Sequence, residues 1–325
     1  MTSSIPLRPL GKTGVNIPSI GLGCMGMSEC YGASDNDHSL QVLRRSIELG
    51  SYHWDTSDTY GVGKNEELLS HILRDHRKDV LATKFAIIRD ENGALKGIRG
   101  DAPYVREACE KSLKRLGTDY IDLYYQHRVD PKIPIEETVA AMAELVKEGK
   151  VKYLGLSECS ADELRRAYKV HPIAALQYSP WTLDIEQNGV LEACRELGVT
   201  IVAYSPLGRG FLSGQIKSLD DLANDDFRRL IPRFQGENFA KNLEIVHRLE
   251  ELSRKKGVTS SQLCLAWILA QGEDFIVIPG TKKMKYLEEN VKAATITLTT
   301  EEINEIRSAI NAVEVIGNRD PDFID

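Results

Sequence analysis

At 325 residues the chain is long enough for two ordinary domains or for one α/β barrel, and it can bury a large core. Hydrophobic residues make up 42% and charged residues 27%, which excludes collagen-like, disordered and coiled-coil readings. A net charge of −7, from 41 basic and 48 acidic residues spread along the chain, removes a simple electrostatic case for nucleic acid.

No uncharged apolar run approaches the roughly 20 residues of a membrane helix. Residues 1–10 lack the apolar core of a secretory signal. A cytoplasmic protein that binds neither membrane nor nucleic acid is expected. The six cysteines lie far apart, without CxxC or CxxH spacing, as for reduced and mostly buried thiols.

Residues 7–17 carry Gly11–Lys12–Thr13–Gly14 between two short extended runs, which predicts a hairpin plugging one end of the fold. Eight β-branched runs then follow, at 19–23, 52–56, 80–85, 121–127, 151–157, 174–177, 200–205 and 275–279. Most are apolar throughout, as parallel strands buried on both faces are. Between them lie helical patterns. Leu40, Leu43 and Ile47 share one face, as do Val105, Cys109, Ser112 and Leu116, and Gly50 and Gly117 stop those helices. Capping pairs at Ser160/Glu163, Asp184/Gln187, Thr259/Gln262 and Thr299/Glu302 mark four helix starts.

Six of the seven steps between strand starts run from 23 to 41 residues, one βα unit each, and the seventh is 75. The excess predicts a loop inserted at about 206–240, a candidate lid because loops after strand C-termini build the site in this architecture. One more helix is expected over 299–313, followed by a polar tail. The whole pattern predicts one (β/α)8 TIM barrel over 1–325, with an N-terminal hairpin and an extra C-terminal helix. The doubly wound alternative needs a glycine-rich turn running straight into a helix, and the Met-rich stretch after Gly21–Leu22–Gly23 does not supply it.

In such a barrel the polar residues at strand C-termini are the functional candidates. Asp55 ends the second strand with Tyr60 just beyond, Lys84 lies in the third, and His127 ends the fourth. A phenol is a poor acid at neutral pH, and an adjacent Lys84 ammonium is expected to strengthen it while Asp55 keeps that ammonium charged. The set suits protonating an oxygen that becomes an alkoxide when hydride arrives on its carbon. No second carboxylate or HxH pair on a neighbouring strand end makes a metal site, so no metal is expected. Tyr204 offers a ring for stacking, and the small-residue turn after it offers backbone donors to a pyrophosphate. Gly280 and Lys282 open the helix after strand eight, where phosphate sites recur.

These residues sit in segments at 50–67 (GSYHWDTSDTYGVGKNEE), 81–85 (LATKF), 115–127 (RLGTDYIDLYYQH), 152–157 (KYLGLS), 204–214 (YSPLGRGFLSG) and 278–293 (IPGTKKMKYLEENVKA). In that order they resemble the aldo-keto reductase superfamily over essentially the whole chain. Cys24–Met25–Gly26, Ser157–Glu158–Cys159 and Phe227–Arg228–Arg229 resemble its fungal and plant aldehyde-reducing branch.

The resemblance implies a barrel that binds NADPH in an extended pose and reduces a small carbonyl compound. It places a catalytic tetrad on Asp55, Tyr60, Lys84 and His127, with Tyr60 as proton donor. Ser157 and Gln177 would meet the carboxamide, Tyr204 would stack on the nicotinamide, and Ser205, Pro206, Leu207, Gly210 and Leu212 would embrace the pyrophosphate. Lys282, Tyr286, Glu289 and Asn290 would meet the adenosine end, and Gly23, Cys24, Met25, Asp55 and Gly280 complete the cofactor set. Substrate is expected at His127, Trp54 and Arg128, on a rim that also includes His53, Tyr125 and Trp181 and suits aromatic or medium-chain carbonyls.

Glu158 stands where many members have Asn, and the stretch after Gln177 is two residues shorter than usual, which predicts a shifted exit from strand six. The short C-terminal tail leaves substrate size open. The alternative function is a nicotinamide-binding regulatory subunit like the potassium-channel β subunits, which share this fold and tetrad.

Overall fold

The computed structural model describes residues 5–77, 80–180 and 184–319. Eight short parallel strands form its centre: β1 (Leu22–Gly23), β2 (His53–Asp55), β3 (Val80–Phe85), β4 (Ile121–Gln126), β5 (Val151–Ser157), β6 (Ile173–Tyr178), β7 (Thr200–Ala203) and β8 (Phe275–Val277). Each pairs with its sequence neighbour, and parallel bridges from Ile20 to Val277 and from Gly23 to Gly280 join the first strand to the last. The sheet therefore closes. Gly23 and Gly280 let the seam approach: a Cβ on Gly23 would stand 2.9 Å from Ile278 O.

Along each strand, alternate side chains face the interior and the helices. Ala82, Leu123, Tyr125, Ala175, Val202 and Ile276 fill the interior. Trp54, Leu81, Tyr124, Leu154, Leu176 and Val277 face the outer core. The predicted hairpin is present as antiparallel 7–9 and 16–18, and its Leu10 and Ile17 join the interior cluster as the plug.

Around the barrel run α1 (Asn36–Glu48), α2 (Lys64–Leu73), α3 (Ala102–Leu116), α4 (Ile135–Lys147), α5 (Ala161–Val170), α6 (Asp184–Gln187), α7 (Val190–Leu197), α8 (Gly236–Lys256), α9 (Ser260–Leu269), α10 (Met284–Lys292) and α11 (Thr300–Asn311). Capping boxes start α5, α9 and α11 where the sequence placed them. The fourth expected cap, on the Asp184 side chain, lies outside the described side chains.

Three elements differ from expectation. The long seventh step holds a loop over 204–235 and also a complete additional helix, α8, ended by Gly257 at φ 75°. A second hairpin, 87–89 against 95–98, fills the long step between β3 and β4, and Asn92–Gly93 lies in its turn. In the polar tail, residues 316 and 317 are held against the body: Asn242 Nδ2 donates to Ile316 O (2.9 Å) and Arg233 Nε to Gly317 O (3.0 Å).

Candidate active site

The ladder continues past the strand ends and fixes what lies there. Thr56 N donates to Ala82 O (2.9 Å), Asp58 N to Lys84 O (3.1 Å) and His127 N to Phe85 O (2.8 Å). Lys84 shares the parity of the inward Ala82, so its fully buried ammonium enters the top of the barrel. There it donates to Asp55 Oδ1, to Thr56 O (2.9 Å) and to Tyr60 OH (3.3 Å). Asp55 Oδ2 accepts from Gln177 Nε2 (2.7 Å). The His127 ring stands edge-on to Tyr60, centroids 5.8 Å apart at 83°. Its Nδ1 is 3.2 Å from Ser57 Oγ, which leaves Nε2 as the ring's other polar atom. Thus all four expected tetrad residues meet at one rim.

Electrostatics corrects one expectation about them. Tyr60 is held well above the ordinary phenol value, first by burial, then by the Asp55 and Glu29 carboxylates, and the opposing cation is Arg128. Lys84 donates to the phenol oxygen at 3.3 Å and works against that rise, but burial and the carboxylates outweigh it. Burial also wins over Asp55 at Lys84, whose value is lowered. His127 is held well below its usual range by burial and by Lys84, Arg128 and Arg89, so its imidazole is neutral at pH 7. The site presents a firmly protonated phenol beside a neutral imidazole.

The opposite rim is built from backbone. After β7, Ser205, Gly208, Arg209 and Gly210 adopt φ of 47°, 56°, 57° and 92°, a cluster of left-handed residues that favours glycine and marks a constrained turn. The Gly208, Gly210 and Leu212 amides are bonded within this turn. Tyr204, Ser205, Gly208 and Arg209 line a narrow cleft together with Arg233 and Arg319. Beside the cleft, Glu158 (φ 54°) accepts from Ser179 N (3.2 Å) and from the Arg319 guanidinium. Glu158 thus ties the tail to the rim. Gln177 remains in register with Ser157 and Val202, so the short stretch after it leaves the strand regular at that point.

Several expected site residues fall elsewhere. Trp54 is a correction: it faces the outer core and donates from Nε1 to Ser46 Oγ on α1 (2.9 Å), which removes it from any substrate pocket. The parity that points Asp55 inward points its neighbour outward. His53 and Tyr125 are fully buried inside the barrel and do not form a rim, while Trp181 lies outside the described residues. The Cys24 side chain is buried in the outer core, where its thiol donates to Leu22 O (3.5 Å). Lys282 Nζ donates to the carbonyls of Tyr31 (2.7 Å), Gly32 (3.0 Å) and Ala33 (2.6 Å), occupying all three of its protons. Glu289 accepts from Thr259 Oγ1 (2.8 Å), Asn290 is buried, and Met25 and Tyr286 are partly buried.

The inserted loop crosses to the far rim. Phe227 N donates to Cys30 O (3.2 Å), and the Arg228 guanidinium donates to Arg209 O (3.0 Å) and lies over the Tyr31 ring at 5.0 Å. Together with Lys282 these contacts draw a strap over the barrel between the turn after β7 and the loop after β1. Sequence reading missed Ser57, Asp58 and Arg319 as parts of the site, although the first two lie within the segment that carries Asp55 and Tyr60.

The residues fit a dinucleotide. Ser157 Oγ is buried without a partner beside Gln177, and three arginines line the cleft. Comparison with known proteins supports the same reading. The family model described as the aldo/keto reductase family matches residues 19–311. An aldo-keto reductase str7 from Strobilurus tenacellus is 54% identical over 97% of this chain and 95% of its own length. Aldo-keto reductase yakc [NADP(+)] from Schizosaccharomyces pombe is 47% identical over 98% and 95%. Among solved structures, the glycerol dehydrogenase of Gluconobacter oxydans superposes with a TM-score of 0.86 at 25% identity, over 96% of this chain and 97% of that one. With a matching family model over most of its length and relatives near half identity, the chain belongs to the aldo/keto reductase family.

Proposed function

We propose that this protein reduces an aldehyde or ketone to the alcohol with NADPH. The observation that carries the reading is the hydrogen-bonded run from Asp55 through Lys84 to Tyr60, with His127 edge-on to the phenol. When bound, the reduced nicotinamide supplies the hydride. Tyr60 keeps its proton at neutral pH and gives it to an oxygen only once that oxygen has gained alkoxide character, which is far more basic than a phenolate. Lys84 stabilises the phenolate left behind, and Asp55 holds Lys84 at that distance. His127 and Arg128 orient the carbonyl.

Ser157, Gln177 and Tyr204 would hold the nicotinamide end, one of the two Gln177 amide protons being held by Asp55. The turn at 205–212 would hold the pyrophosphate, and Lys282, Tyr286, Glu289 and Asn290 the adenosine end. With Trp54, His53 and Tyr125 withdrawn from the rim, the case for an aromatic substrate is left resting on Trp181. The six unpaired thiols suit a reducing compartment such as the cytoplasm.

The test is NADPH consumption with a panel of aldehydes and ketones, for wild type and Tyr60→Phe. The expected loss in the variant is about 10² to 10⁴ in kcat, with NADPH affinity preserved. Wild-type turnover no faster than the variant's would refute the reading, and tight NADPH binding without turnover would favour the regulatory-subunit alternative.

A further inference from the structure

Ser57 joins the reacting rim to a carboxyl group that the chemistry above leaves unused. Its hydroxyl lies 3.2 Å from His127 Nδ1, 3.3 Å from Asp58 Oδ1 and 3.3 Å from Lys84 O, and it accepts from Thr59 N at 3.4 Å. One hydroxyl proton serves one of these acceptors at a time. The direction in which it points decides whether His127 Nδ1 must donate or accept.

We infer that Asp58 is a positioning residue whose proton sets, through Ser57, which ring nitrogen of His127 is protonated. The inference rests on the carbonyl-reducing reading of this site. With Asp58 protonated, its O–H donates to Ser57 Oγ, and the Ser57 O–H donates to His127 Nδ1. The ring proton is then on Nε2, where it can donate to a carbonyl oxygen. With Asp58 ionised, one proton has left to solvent and the Ser57 O–H turns to the carboxylate. Ser57 Oγ then accepts from His127 Nδ1–H, and Nε2 presents a lone pair that repels a carbonyl oxygen but accepts from an alcohol.

The surroundings put this change in a useful range. The Asp58 carboxyl is pushed up to about 8, first by burial and then by the Glu66 carboxylate of α2, while Arg115 of α3 and the Ser57 hydroxyl pull it down. Tyr104 of α3 and Tyr124 of β4 also feel its charge, and both phenols are themselves held above their usual values. Lys84 of β3, Arg89 of the 87–98 hairpin and Arg128 face His127, and all three oppose a second proton on the ring. The imidazole therefore stays neutral and can only exchange tautomers. Below about pH 8 the arrangement favours reduction; above it, Nε2 suits the alcohol.

The test is the nitrogen-15 signature of His127 in the protein labelled at histidine, roughly two pH units below and above the Asp58 value, with His127→Gln for assignment. The expected result is an exchange from the Nε2–H to the Nδ1–H pattern in wild type, absent in Asp58→Asn and Ser57→Ala. In parallel, wild-type kcat/KM for carbonyl reduction should fall about tenfold per unit above pH 8, and Asp58→Asn, whose amide donates permanently to Ser57, should lose that limb. A wild-type tautomer that does not respond to pH, as when Ser57 donates to Lys84 O throughout, overturns the inference, as does an unchanged limb in Asp58→Asn. A protein with no carbonyl turnover would sink the reductase reading alone, because the nitrogen signature reports the tautomer without substrate.

Discussion

The two rims of the barrel mouth are built in different ways. At the exits of β2 to β4 the functional groups are side chains fixed by strand register: Asp55 pairs with Ala82, Lys84 with Tyr125, and each is buried and hydrogen-bonded. At the exits of β7 and β8 the work falls to backbone, in a turn with four left-handed residues and a strap that crosses to Cys30. A register-held group cannot move without disturbing the sheet, whereas a strap can open and close over a ligand at small cost. Damage to the first rim should therefore appear in chemistry and stability together, and damage to the second mainly in cofactor affinity.

Lys84→Met is the strongest attempt to break that division. It removes one partner of a fully buried ion pair and leaves the Asp55 carboxylate with only Gln177, at a cost of about 3–5 kcal/mol. Thermal unfolding should show a clear drop in Tm, and kcat should fall by at least about 10². A variant that keeps its Tm but loses activity would mean that Lys84 contributes to chemistry alone.

The catalytic rim was legible because its residues are polar interruptions of apolar runs, and nothing but a function or a satisfied pair keeps Lys84 inside β3. The error at Trp54 came from the same strand. A run apolar on both faces carries no alternation to say which residues face in, yet once Asp55 is assigned inward its neighbour must face out. Ser57 and Asp58 lie just past the strand, where parity no longer applies and only coordinates show that a hydroxyl bridges a carboxyl and an imidazole. The second rim was legible only as a small-residue turn and an excess of chain. The excess hid α8, and the tail that brings Arg319 to Glu158 has no periodicity to announce it.

Lys282→Ala tests the second rim where sequence and structure disagree. A ribose 2′-phosphate contact predicts about a tenfold loss in NADPH affinity and little change for NADH, since one charge-assisted contact is worth about 1.4 kcal/mol. The three carbonyl bonds to Tyr31, Gly32 and Ala33 instead predict a looser strap and equal losses for both cofactors. Titration of the variant with each cofactor separates the two, and equal losses would refute the phosphate assignment.

The probe expected to leave the first rim most nearly intact is Gly210→Ala. Gly210 has a φ of 92°, and a Cβ there would stand 3.2 Å from Arg228 Nη1, a contact the long arginine can relieve by moving. The backbone conformation cannot be relieved so easily, because the Gly210 amide donates to Leu207 O (3.0 Å) and its carbonyl accepts from the Ser213 hydroxyl (2.5 Å). Forcing an L-residue into this region costs about 1–2 kcal/mol. The turn should shift, and with it the segment proposed to hold the pyrophosphate and the Arg209 carbonyl that holds Arg228. NADPH affinity should weaken by roughly five- to thirtyfold, while kcat at saturating cofactor stays within about twofold, because Asp55, Lys84 and Tyr60 are held by one another, by Thr56 O and by Gln177. A fall in kcat with unchanged affinity would show that the two rims are mechanically coupled, and the division of labour between register-held and strap-held groups would have to be abandoned.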